Sequence, residues 1–104
     1  MTKPGPVSML CIYELNKGAE DQFCRLWKAH WPTLDRVGLA GPEPVKLWRG
    51  ENKRGDVTYT ETFQWKDADA PRTAHQTPEV MKVWEPMGPL LAGMDFLQIE
   101  PAQR

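Results

Sequence analysis

This chain of 104 residues is short of the residue types that build metal centres and covalent frameworks. It has two cysteines, Cys11 and Cys24, and two histidines, His30 and His75. Neither pair shows a C-x-x-C or H-x-x-x-H spacing, and the histidines fall on different elements, so no metal is expected. Each cysteine lies within an apolar pattern and reads as a small buried hydrophobe in a reduced protein. Charge of one sign is lacking as well. Thirteen Lys and Arg stand against fourteen Asp and Glu, which leaves no basic footprint for nucleic acid or a membrane surface. The longest unbroken apolar run, Met9 to Tyr13, is far shorter than the ~20 residues of a membrane span. The lead from Met1 to Val7 has no signal-peptide core, so a cytoplasmic location is expected. No Gly-x-Gly-x-x-Gly or Walker-type loop occurs, and no Ser or Cys stands at a strand-to-helix turn with a histidine to activate it. No cofactor is expected.

What is present is a folded chain. The 40 % hydrophobic and 26 % charged fractions are those of a globular protein, and the length suits one domain over 1–104 with a core over 7–100. Five Trp, three Phe and two Tyr are a large apolar load for a domain that buries only about 60–65 % of its unfolded surface. They fill the core densely, or some of them line a cavity or a subunit interface.

Val7 to Leu15 is rich in β-formers and apolar at nearly every position, as in a strand covered on both faces. After the turn Asn16-Lys17-Gly18 the period changes. Phe23, Leu26, Trp27, His30, Trp31, Leu34 and Val37 follow a helical stripe, with a kink or break expected at Trp31-Pro32 and an end at Gly38 and Gly41-Pro42. Val45 to Arg49 reads as a short strand and Gly50 to Asp56 as a hairpin loop. Val57 to Trp65 alternates, placing Val57, Tyr59, Glu61, Phe63 and Trp65 on one face. Asp67 is placed to cap a helix through about Gln76. Thr77-Pro78-Glu79 then starts another, with Thr77 as N-cap and Pro78 in the first turn. Val80, Met81, Trp84 and Met87 form its stripe, closed by Pro86, Gly88 and Pro89. Met94 to Glu100 is the last strand.

The order is β-α-β-β-α-β with the second helical region split. It predicts an α+β, ferredoxin-like split βαβ fold with a four-stranded antiparallel sheet and both helical regions on one face. The first strand also offers Leu10 and Ile12 to the opposite face. An antiparallel sheet leaves a face in water only when that face is polar, so a second copy of the chain is expected there, giving a homodimer.

The spans FCRLWKAHWPTL, TYTETFQWKDADA and TAHQTPEVMKVWEPMGPLL resemble the dimeric α/β-barrel proteins of the antibiotic-biosynthesis-monooxygenase type. The resemblance runs over residues ~7–100, and Pro78 to Met87 looks closest to bacterial members without an assigned activity. It implies the dimeric barrel and a choice of chemistries: cofactor-free oxygenation of quinols and polyketide phenols, haem degradation, isomerisation, cyclisation or sugar epimerisation. The haem-degrading pattern is not met, because Ala74 and Trp84 stand near the positions of its Trp and His ligand and no Asn lies in the first strand. The sugar-mutarotase pattern shares Trp31-Pro32, but Trp27 and Phe23 replace its His and Tyr.

Glu61 stands out on an otherwise aromatic strand face. A carboxyl group there must be hydrogen-bonded, neutralised or open to a wet cavity; it is either a general acid or base, or an ordinary strand carboxylate paired with Arg49 or Lys46. His30 lies on the buried stripe of the first helix, as a proton shuttle or a satisfied boundary histidine. His75 takes the Ala-His position of the resemblance near a helix C-terminus, for catalysis or for capping and interface contacts. Glu61, His30 and His75 are thus the catalytic candidates. Trp27, Trp31, Trp65 and Trp84 are candidate aromatic walls for a flat substrate or plain core, and Tyr13 and Tyr59 offer hydroxyls to orient a phenol or quinol. The functional expectation is an enzyme of the cofactor-independent monooxygenase kind acting on a small hydrophobic or aromatic, quinol or polyketide-type compound. A non-catalytic ligand-binding or accessory dimer is one alternative, and an isomerase or cyclase using the same cavity is the other.

Overall fold

The computed structural model describes residues 5–102; the first four residues of the lead lie outside them. Strand β1 (Val7–Leu15) is followed by helix α1 (Glu20–Arg36), strands β2 (Lys46–Glu51) and β3 (Val57–Trp65), helices α2 (Ala70–His75) and α3 (Pro78–Met87), a 3-10 turn at Gly88–Leu90, and β4 (Leu91–Gln98). The sheet order is β2-β3-β1-β4, antiparallel throughout. This is the ferredoxin-like α+β fold that the element order implied.

Strand parity sorts the sheet into two faces. The register aligns Cys11 with Glu61 and Phe96, and Tyr13 with Tyr59 and Met94. These side chains face the helices, and most of the core is here: Cys11, Tyr13, Phe23, Trp31, Leu34, Tyr59, Phe63, Trp65, Val80 and Met87 are buried. The opposite face carries Leu10, Ile12, Trp48, Thr58, Thr60, Thr62 and Leu97.

Several boundaries differ from expectation. Helix α1 runs through Pro32 to Arg36 without a break. Pro32 removes one amide, but Trp31 and Leu34 on either side are buried against the sheet, and Thr33 Oγ1 donates to the Ala29 carbonyl at 2.6 Å. Strand β2 starts one residue later than expected and extends through Glu51, because the hairpin is tighter than seven residues. Asn52 organises it by accepting at Oδ1 from the amides of Arg54 and Asp56, with Gly55 at φ +84°. Asp67 does hold the entry to α2, accepting from the amides of Asp69 and Ala70 at 2.9 Å. Thr77 precedes α3 but makes no side-chain cap. Its hydroxyl donates instead to the Thr73 carbonyl at the end of α2, 2.7 Å away, which also accepts from the Gln76 amide. Pro86 lies inside α3 rather than closing it, and β4 begins at Leu91, three residues early, because the 3-10 turn delivers the chain straight to the edge of β1.

Candidate active site

The polar centre of the core is Glu61. Its side chain is fully buried, and a bare carboxyl group there would cost several kcal/mol. Three donors surround it. Tyr13 Oη donates to Oε1 at 2.6 Å, Trp31 Nε1 donates to Oε2, and His30 Nε2 lies 3.5 Å from Oε2. The alternative pairing with Arg49 or Lys46 does not occur. Lys46 aligns with Thr62 on the opposite face, and Arg49 binds Glu20 and Glu51. Burial and the adjacent Glu61 carboxyl push the Tyr13 hydroxyl far above its ordinary range, so Tyr13 remains a donor.

His30 is buried and hydrogen-bonded through one ring nitrogen, the other lying near Glu61 without a hydrogen bond. Trp84 Nε1 donates to Nδ1 at 2.9 Å. An indole N–H can only donate, so Nδ1 is an acceptor and the neutral ring carries its proton on Nε2, toward Glu61. His75 has the reverse arrangement. Its Nδ1 lies 2.8 Å from the Pro71 carbonyl, which can only accept, so Nδ1 holds a proton and in the neutral ring Nε2 presents a lone pair. Trp84 stands between the two rings, with centroids 6.0 Å from His30 and 5.0 Å from His75.

Between the helices and the β1–β4 half of the sheet lies a largely apolar cavity of about 430 Å³. Tyr13, His30, Trp65 and Trp84 contribute to its wall together with Cys11, Phe63 and Met81. His75, Glu85, Met94 and Phe96, all exposed, mark its open side. Burial, and then the neighbouring Glu61, raise the Cys11 thiol to about 12, so it stays protonated at neutral pH.

The structure therefore brings His30, His75, Tyr13, Trp65 and Trp84 to one cavity and sets Glu61 one layer behind it. Trp31, Trp27 and Tyr59 are not in the wall. Trp31 holds Glu61 in place, and Trp27 is half-buried beside His30. Tyr59 belongs to a separate cluster, where its hydroxyl donates to Glu20 at 2.5 Å and lies 3.2 Å from Cys24 Sγ. The cavity role of Cys11 was hidden by its reading as core, although strand parity already placed it beside Tyr13. Met94 and Phe96 needed the β4 register, which local pattern does not supply. Among the described residues, no three His, Cys, Asp or Glu come together as a metal site.

Neither a protein-family model nor a curated protein matches the sequence. Solved structures share its fold. SnoaB, a cofactor-independent oxygenase from Streptomyces nogalater, superposes with a TM-score of 0.71 at 19 % identity, over 94 % of this chain and 96 % of that one. A structure described as an antibiotic biosynthesis monooxygenase gives 0.73 at 10 % identity, over 93 % of this chain and 99 % of that one. Rv0793 from Mycobacterium tuberculosis gives 0.67 at 17 % identity, over 95 % and 97 %. At such identities the likeness is one of fold: this chain has the fold of the antibiotic-biosynthesis-monooxygenase-like proteins.

Proposed function

We propose that this protein is a cofactor-independent monooxygenase-like enzyme, cytoplasmic and homodimeric, acting on an aromatic quinol or polyketide-type compound. The observation that carries the reading is the apolar, aromatic-walled cavity with a free histidine lone pair at its open side. The shared fold with SnoaB supports it. Trp84, Trp65 and Phe63 give the cavity an aromatic wall for a flat ring to lie against, and the low polarity of the wall strengthens the few polar contacts made inside.

The chemistry asks little of the protein. Removal of a hydroxyl proton turns a quinol or phenol into an electron-rich anion that can itself reduce oxygen. The chain then has to take the proton, hold the ring and keep water away. His75 Nε2 is the directly accessible acceptor, while Tyr13, His30 and Glu61 form the polar inner end. Oxygen uptake with a panel of quinols and polyketide phenols tests the proposal. We expect turnover that falls about 10²–10⁴-fold in His75→Gln, the range of a lost general base. Proton exchange or ring closure without oxygen consumption would move the protein to an isomerase or cyclase. A retained aromatic ligand with no turnover would leave a binding module.

The homodimer rests on the sheet face away from the helices. Trp48 is 62 % exposed, and Leu97 and Ile99 lie on the same face, with Leu10 and Ile12 only half-covered. A patch of this kind on a small protomer is an interface signal, and the threonines around it are compatible with a packed sheet.

A further inference from the structure

The geometry points to Trp84 as a cap on a carboxyl–imidazole base, removed only by a ligand hydroxyl that takes its place at His30 Nδ1. The inference rests on the reading of the cavity as an aromatic-ligand site and adds how the ligand is recognised. Four observations carry it. Glu61 is fully buried and pinned by Tyr13 and Trp31, so it cannot swing away. His30 Nε2 is buried, makes no hydrogen bond, and lies 3.5 Å from Glu61 Oε2, within ion-pair reach once the ring is protonated. That is the arrangement in which a carboxyl group orients an imidazole and supports positive charge on it, leaving the far nitrogen as the base. Here the far nitrogen, Nδ1, is occupied by the Trp84 indole N–H. Finally, His30 and Trp84 both line the cavity, so their hydrogen bond lies where a ligand can compete for it, and His30 is then a second proton acceptor at the inner end, beside the open His75.

A phenol or quinol O–H is a donor of the same kind as the indole N–H, and it can also give its proton up. When it replaces Trp84, the hydroxyl proton passes to Nδ1, the oxygen keeps the electron pair, and the imidazolium is held between the new anion and Glu61. An aromatic ligand without a hydroxyl proton has nothing to offer Nδ1 and leaves the cap in place. Trp84 is in this account a positioning residue and His30 the group that touches substrate. The base is thereby shielded in the empty cavity and exposed by the ligand that needs it.

Nitrogen-15 NMR on the intact wild-type protein tests this, and with two histidines in the chain a His75→Gln variant assigns both rings. In the free protein His30 should show a protonated Nε2 and a bare Nδ1. Adding 1-naphthol should move the Trp84 indole N–H and His30 Nδ1 signals together. The methyl ether, 1-methoxynaphthalene, should leave both signals in place. Trp84→Phe keeps a ring but has no N–H to displace, so it should bind 1-naphthol more tightly than wild type relative to the ether. If 1-naphthol binds and the Trp84 and His30 signals stay still, the cap is merely structural and the inference falls while the aromatic cavity stands. A free-state His30 protonated on Nδ1 overturns it equally. If neither compound binds, the aromatic-ligand reading fails first and takes this inference with it.

Discussion

Glu61 shows how one buried carboxyl group can organise a core of rings. Its oxygens collect donors from β1 and α1, and their loss has a defined cost. Glu61→Leu strands the Trp31 N–H and the Tyr13 O–H, and each buried donor left without a partner costs about 1–3 kcal/mol. Glu61→Gln should lose much less, because the Tyr13 hydroxyl can turn from donor to acceptor and the amide oxygen can still serve Trp31. Urea midpoints of the two variants check this ordering; equal losses would mean that the cluster is not held by these bonds. Glu20 makes a prediction of opposite character. Hydrogen bonds from Arg49 and then Tyr59 hold its carboxyl group at about 2, below the ordinary 4.5. A carboxyl group depressed in the folded state contributes stability above its unfolded value and loses it as pH falls through the folded one. Wild type should therefore be somewhat more stable than Glu20→Gln at neutral pH, modestly so for an exposed pair. The gap in thermal midpoint should close between pH 4.5 and about 2.

Among the elements, α1 and its exit do most to place the site. The helix brings Trp31 and His30 onto the sheet and ends at Gly38, whose φ of +76° favours glycine. No atom lies where a Cβ at Gly38 would point. Gly38→Ala should thus cost only the backbone penalty, about 1–2 kcal/mol, seen as a lower urea midpoint with an unchanged slope. Gly41 differs, since a Cβ there would meet Gln64 Cβ at 2.7 Å and the Trp65 carbonyl at 2.9 Å. Gly41→Ala should cost more and should disturb Trp65 in the cavity wall, visible in its fluorescence. The stripe of α1 and the alternation of β3 were readable because each is a repeat carried by the backbone itself. The behaviour of Pro32 and Thr77 was not. At Pro32 the sheet under Trp31 outweighed the local preference, and at Thr77 the hydroxyl turned back one turn to the Thr73 carbonyl and left the cap unmade.

The whole protomer is a slab 19 Å thick, 47 Å long and 41 Å wide, one sheet and one layer of helices. Such a shape covers one sheet face and leaves the other, where Trp48 stands out at 62 % exposed. Trp48→Asp places a charge on that face without disturbing the packed interior, and Ile12→Asp does so nearer the middle of the sheet. Sedimentation should show both variants as monomers at concentrations where wild type is dimeric, with Trp48→Asp still unfolding cooperatively. A wild-type protein that sediments as a stable protomer would remove the dimer from the proposal.

Periodicity was enough to establish the element order, the two-faced sheet and the presence of Glu61 among aromatics, because strand alternation and the helical repeat depend only on near neighbours along the chain. Which rings line the cavity and which merely support it came from folding. Trp31 reaches Glu61 across 30 residues and Trp84 reaches His30 across 54. Such partnerships depend on strand register and helix docking, which bring distant segments together and leave no repeat behind in the order of the residues.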